Sequence, residues 1–118
     1  MTRFRLALLS SLVGLALVAA APTSGATTRL VATVGPGFTI TLKKAGKKVT
    51  SLPAGTYTIS VQDKSAFHNF HLVGPGVNKR STVDEVATKT WTVKLRKGTY
   101  RYVCDPHATQ MKGSFTVR

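Results

Sequence analysis

The chain has 118 residues with 17 basic and 4 acidic side chains, a formal charge of +13, and a single cysteine. That length excludes the multidomain oxidases and leaves room for one domain, while one Cys excludes an internal disulfide. Scattered lysines without interleaved aromatics argue against nucleic acid as the partner.

Arg3 and Arg5 precede an uncharged apolar run from Leu6 to Ala21, the pattern of an export signal that is too short to span a bilayer comfortably. Ser24-Gly25-Ala26 supplies a small-x-small cleavage site, so residues 1–26 are expected to be a signal peptide and 27–118 the mature domain, exported to a secreted or periplasmic location without stable membrane insertion. Cutting after Ala21 would leave Pro22 at the first mature position, and an uncleaved signal anchor is the alternative. With Arg3 and Arg5 removed, fifteen basic residues remain against four acidic ones, a charge of about +11 that favours encounters with acidic proteins or anionic envelope polymers.

In the mature part, short alternating or β-branched runs predict seven strands: Leu30 to Val34, Phe38 to Leu42, Tyr57 to Val61, His68 to Val73, Thr90 to Leu95, Tyr100 to Cys104 and Ser114 to Val117. Gly35-Pro36-Gly37, Ala45-Gly46, Pro53-Ala54-Gly55, Gly74-Pro75-Gly76 and Lys97-Gly98 punctuate them. Lys43, Lys44, Lys47 and Lys48 fall at one such turn and read as a solvated hairpin tip, with a docking face as the minority reading. Helical periodicity is confined to one turn at Thr82 to Ala87, so an all-β sandwich or barrel is predicted. Period-two alternation puts Tyr57, Ile59, Val61, Trp91, Val93, Leu95, Tyr100, Tyr102 and Cys104 in the core.

Chemistry concentrates in Tyr102-Val103-Cys104-Asp105-Pro106-His107-Ala108-Thr109-Gln110-Met111-Lys112-Gly113. A strand ends on Cys, and a compact loop returns His and Met before the next strand. Met111 is the only methionine once the leader is removed, and it stands outside any apolar run. Thiolate, imidazole and thioether together suit copper, because sulfur stabilises Cu(I) and nitrogen supports Cu(II). A closed zinc site would gain little from the Met, and a hydrolytic Cys–His pair lacks an orienting third group. A second nitrogen must come from Phe67-His68-Asn69-Phe70-His71-Leu72, where the remaining histidines lie. On a strand His68 shares a face with Phe70 and Leu72, and His71 lies opposite with Asn69, so one of the two is the ligand.

The strand-end Cys-x-Pro-His loop followed by Met, with an upstream His-Asn pair, resembles the blue copper cupredoxins, plastocyanin and amicyanin in particular. The resemblance implies a cupredoxin-like Greek-key β-sandwich of about seven short strands, a monomer holding one copper ion through His68, Cys104, His107 and Met111. It implies that His71 is structural. It also implies that Asn69 donates its backbone N–H to the Cys104 sulfur while its side chain ties two loops together. His107 would be the surface electron port, rimmed by Pro106 and Ala108. The expected function is the shuttling of single electrons between redox partner proteins, without an enzymatic reaction; a copper chaperone or buffer is the alternative. Two features depart from the family: Asp105 replaces the usual Ser or Thr after the Cys, which alters the expected tether from Asn69, and His107 and Met111 are separated by three residues.

Overall fold

A computed structural model describes residues 13–17 and 27–118; the predicted leader and its cleavage site otherwise lie outside the described residues. Strands β1 (Thr28–Val34), β2 (Ile40–Lys44), β3 (Lys47–Lys48), β4 (Ser51–Leu52), β5 (Gly55–Asp63), β6 (His71–Gly74), β7 (Val77–Arg80), β8 (Ala87–Leu95), β9 (Gly98–Val103) and β10 (Lys112–Val117) are joined by short turns. They form two five-stranded sheets, ordered β3-β2-β1-β5-β8 and β4-β10-β9-β6-β7. Both sheets are mixed, since β1 runs parallel to β5 and β10 parallel to β4 while the other pairs are antiparallel.

The predicted alternation is what closes the sandwich. Leu30, Ala32 and Val34 of β1, Ile59 and Val61 of β5, and Trp91, Val93 and Leu95 of β8 are buried from one sheet. Leu72, Tyr100, Tyr102, Phe115 and Val117 meet them from the other. Trp91 is a core anchor, with its ring 6.0 Å from Phe70, which in turn stacks on Tyr102 at 5.6 Å. Gly113 faces Tyr102 across the ladder, and a Cβ there would overlap the phenol ring, so this position, one residue into β10, must stay bare. The described domain is the predicted all-β sandwich, with both sheets and the whole buried core inside residues 28–117.

Several boundaries differ from expectation for identifiable reasons. Residues 68–70 are not strand; β6 starts at His71, because the backbone of Phe70 is taken up by Ser81 in place of a ladder. The stretch Thr82 to Ala87 is a turn, not helical: Thr82 Oγ1 bonds Glu85 at 2.8 Å and the chain enters β8 at Ala87. Such a side-chain bond competes with helical backbone bonding. The strand β7 was hidden by its composition, since Val77-Asn78-Lys79-Arg80 buries only Val77 and lies at a sheet edge. The lysine run does form a hairpin tip, with Ala45 and Gly46 both at positive φ (47° and 78°), as a two-residue turn between twisted strands requires.

Candidate metal centre

Cys104 follows the last residue of β9 and is fully buried. The chain then makes a single 3-10 turn, Asp105–His107, which Pro106 favours by fixing its own φ and offering no N–H. The loop closes on itself. His107 N–H donates to Cys104 O at 3.0 Å, Met111 N–H to His107 O at 2.8 Å and Cys104 N–H to Met111 O at 3.0 Å. Met111 is fully buried, and its main chain is tied directly to Cys104 and to His107 by one hydrogen bond each.

His68 arrives from the other side of the fold. Ser65 N–H donates to Asp63 and Phe67 N–H to Ser65 Oγ, each at 3.1 Å, shaping the turn that delivers His68 inward at 3% exposure. Its Nδ1 lies 3.1 Å from His107 Nδ1 and 3.7 Å from Cys104 Sγ, and His107 Nδ1 lies 3.6 Å from the same sulfur. A point equidistant from all three atoms is about 2 Å from each, where first-row ions stand about 2.0–2.1 Å from imidazole nitrogen and about 2.3 Å from thiolate sulfur. Two nitrogen lone pairs and a sulfur directed at one point repel each other unless a proton or a cation lies between them. Among the described residues these three form the one cluster of His, Cys, Asp and Glu able to hold a metal. A soft thiolate with two imidazoles fits copper.

Around this triangle Asn69 acts as a clamp. Its backbone N–H points at Cys104 Sγ at 3.5 Å, Oδ1 accepts from Asp105 N–H at 2.8 Å, and Nδ2 donates to Ser81 O at 3.2 Å and to Asp105 Oδ2 at 2.7 Å. The expectation that Asp105 alters the tether from Asn69 is corrected: the Asp105 N–H still bonds Asn69 Oδ1, and the carboxylate adds a second bond from Nδ2. Asp105 also reaches His71: Nδ1 pairs with Asp105 Oδ1 and Nε2 with Asn78 Oδ1, both at 2.7 Å. His71 is thus a brace between β6, β7 and the loop, outside the cluster. Burial works to raise the Asp105 carboxyl, but the bonds from Asn69 and His71, with the charges of His71 and Arg80, outweigh it and hold it below its ordinary value. Asp63 behaves oppositely: burial pushes its carboxyl up against the opposing influence of the Ser65 amide and His68, and its Oδ2 is buried without a hydrogen-bond partner.

His107 is half-buried and opens on an apolar hollow of about 470 Å³ lined by Pro36, Phe38, Phe67, Val83 and Pro106. Phe38 packs edge-on against both rings, 4.9 Å from His107 and 5.4 Å from His68, while staying 61% exposed. Of the expected rim, Pro106 lines this hollow, and Ala108 lines a second groove with His71, Arg101 and Lys112. Sequence reasoning missed Phe38, read as a strand residue, and Ser81. Phe38 did leave a signal, an aromatic between two glycine-rich turn positions and the first strand-forming residue.

The family described as copper binding proteins, plastocyanin/azurin family, matches residues 23–118. No curated protein matches. Among solved structures, reduced rusticyanin at 1.9 Å is 27% identical over 80% of this chain and 81% of that one, with a TM-score of 0.60. Rusticyanin from Thiobacillus ferrooxidans is 28% identical over 80% and 79%, with a TM-score of 0.58.

Proposed function

The chain belongs to the plastocyanin/azurin family of copper-binding proteins, and from that premise we propose that it is an exported type 1 copper protein that passes single electrons between redox partners. Cys104, His68 and His107 would hold the copper, and Met111, buried in the same loop, would be the fourth donor. The observation that carries this reading is the buried triangle of two Nδ1 atoms and one Sγ with sides of 3.1 to 3.7 Å. Bound there, copper supplies a one-electron couple between Cu(II) and Cu(I).

The residues do the rest. Cys104 N–H and Met111 N–H, spent on the loop's own carbonyls, and Asn69, spent on Asp105 and Ser81, fix the donor atoms before any metal enters, so little has to move when the charge of the centre changes. The Asn69 amide next to the sulfur tunes the thiolate's electron donation. Burial of Cys104 and Met111 keeps water from the centre. His107, within its apolar collar of Phe38, Phe67 and Pro106, is the exit for the electron toward a partner pressed on that surface. Residues 1–26 act as the export signal, and the charge of the mature domain favours acidic partners.

Adding Cu(II) to metal-free residues 27–118 tests this reading through visible and electron paramagnetic resonance spectra. An intense thiolate-to-copper band with narrow hyperfine splitting is expected, lost in Cys104→Ala and in His68→Ala and retained in His71→Gln. A colourless complex overturns the assignment, and rapid loss of the metal to a chelator without redox cycling replaces the electron carrier with a copper donor.

A further inference from the structure

Residues 27–118 carry four carboxylates against fifteen cations, and one of the four, Asp105, directly follows Cys104. Both of its oxygens are engaged: Oδ2 accepts from Asn69 Nδ2 and Oδ1 meets His71 Nδ1, each at 2.7 Å. Asn69 is also the residue whose backbone N–H lies 3.5 Å from Cys104 Sγ. The carboxylate is thus joined to the sulfur twice, through the chain and through one hydrogen-bonded residue. Holding Asn69 does not call for a charge. Asn69 Oδ1 accepts the backbone N–H of Asp105 at 2.8 Å, a bond that any residue except proline supplies at this position. A neutral amide would also serve in place of the carboxylate, with its oxygen toward Asn69 Nδ2 and its NH2 toward His71 Nδ1. What the acid alone brings is a negative charge. No Lys or Arg pairs with it: among the described residues the ion pairs are His71–Asp105 and Glu85–Lys89, and Arg101 and Lys112 line the same groove as Asp105 without reaching it.

A strongly positive domain favours the less positive state of a bound metal. Cu(I) carries one charge fewer than Cu(II), so the cations of the chain work toward Cu(I). They are dispersed over the surface, where solvent screens exposed charges beyond about 8–10 Å. An anion beside the ligand loop acts in the opposite sense and at short range, toward a sulfur that is fully buried, where charges are weakened least. We propose that Asp105 is a positioning residue that holds a fixed negative charge beside Cys104, stabilises Cu(II) relative to Cu(I) and so lowers the reduction potential of the centre. This role rests on the copper reading of Cys104, His68 and His107. It assigns the carboxylate a task separate from its bonds: the bonds set the geometry of the Asn69 amide at the sulfur, and the charge sets which oxidation state the site prefers.

Redox titration of copper-loaded residues 27–118 at pH 7 tests it, with competition against Cu(I) and Cu(II) chelators giving the affinity ratio of the two states independently. The Asp105 side chain is 35% exposed, which limits the reach of its charge. Asp105→Asn is expected to shift the ratio about fivefold toward Cu(I), a rise of about 40 mV at 59 mV per tenfold for one electron. Asp105→Glu keeps the charge and should stay within about twofold of the parent. His71→Gln removes the partner of the carboxylate and should leave the potential unchanged or lower. Near-ultraviolet circular dichroism of the metal-free variants checks the fold, and if Asp105→Asn does not fold, Asp105→Ser replaces it with the same expected rise. A potential in the uncharged variant equal to or below that of the parent overturns the role. A rise shared by His71→Gln overturns it too, because it marks a loosened loop and not a lost charge. A parent that forms no blue complex overturns the copper reading, and this role with it; a blue parent whose potential ignores Asp105 overturns this role alone.

Discussion

Residues 104–111 and residues 65–71 converge on the same three donor atoms, yet the first segment holds itself and the second is held by others. The loop from Cys104 to Met111 is closed by four of its own backbone hydrogen bonds, and its two donors, Cys104 and His107, are three residues apart. The segment carrying His68 and Asn69 depends on Ser81, eleven and twelve residues away, and on Asp105, thirty-six residues away. One half of the centre is therefore a local motif. The other half is assembled only when both sheets are in place, so damage to its supports should loosen the geometry without removing a donor.

Asn69→Ala gives the largest effect expected from that asymmetry. The side chain is buried and makes three hydrogen bonds, to Asp105 N–H, Asp105 Oδ2 and Ser81 O. Truncation leaves buried partners unpaired at about 1–3 kcal/mol for such a group. Thermal unfolding of the metal-free protein measures the loss, and broadened hyperfine splitting in the copper-loaded variant would report the loosened clamp. An unaltered spectrum together with unaltered stability would show that the His68 segment is as self-sufficient as the loop.

His71→Gln probes the same support one step further out. It removes the contact of His71 with Asp105 and disturbs that with Asn78, each about 0.5–1.5 kcal/mol when made by an ordinary hydrogen bond, while leaving every donor atom in place. Stability should fall by about 1 kcal/mol, with copper still bound. A colourless variant would make His71 a ligand and break the division between the two histidines.

That division shows how much was legible. The Cys104–Met111 loop could be read from spacing because its geometry is local, and the sandwich could be read from Ile59, Val61, Trp91, Val93, Tyr100 and Tyr102, whose alternation is a direct consequence of strand geometry. The choice of His68 over His71 followed from family resemblance, and the strand-parity argument does not apply, since residues 68–70 are not strand. What removes them from the ladder is Ser81, and nothing local in Phe67-His68-Asn69-Phe70 announces a partner beyond the next hairpin. Phe38 escaped for the same reason: its role is defined by two histidines thirty and sixty-nine residues further on. The extra strands β3, β4 and β7 are short or polar edges, where burial imposes no pattern to read.

The smallest effect separates the two segments by pH. Each has one carboxylate at its base, and the two are displaced in opposite directions from the ordinary value of 3.8. Asp105 is lowered, so its contribution to stability is present above 3.8 and is lost as pH falls through its folded value; Asp63 is raised, so what it contributes is present below 3.8 and is lost as pH rises through its folded value. Asp105→Asn should therefore destabilise the metal-free protein at pH 7, by an amount that shrinks on acidification. Asp63→Asn keeps an oxygen for the Ser65 amide and removes a buried charge, so it should stabilise at pH 7 and become neutral near pH 3. Unfolding of both variants against the parent at the two pH values provides the check. Opposite signs at pH 7 are expected because the loop uses its carboxylate as a bridge between Asn69 and His71, whereas the His68 turn buries one with an oxygen to spare.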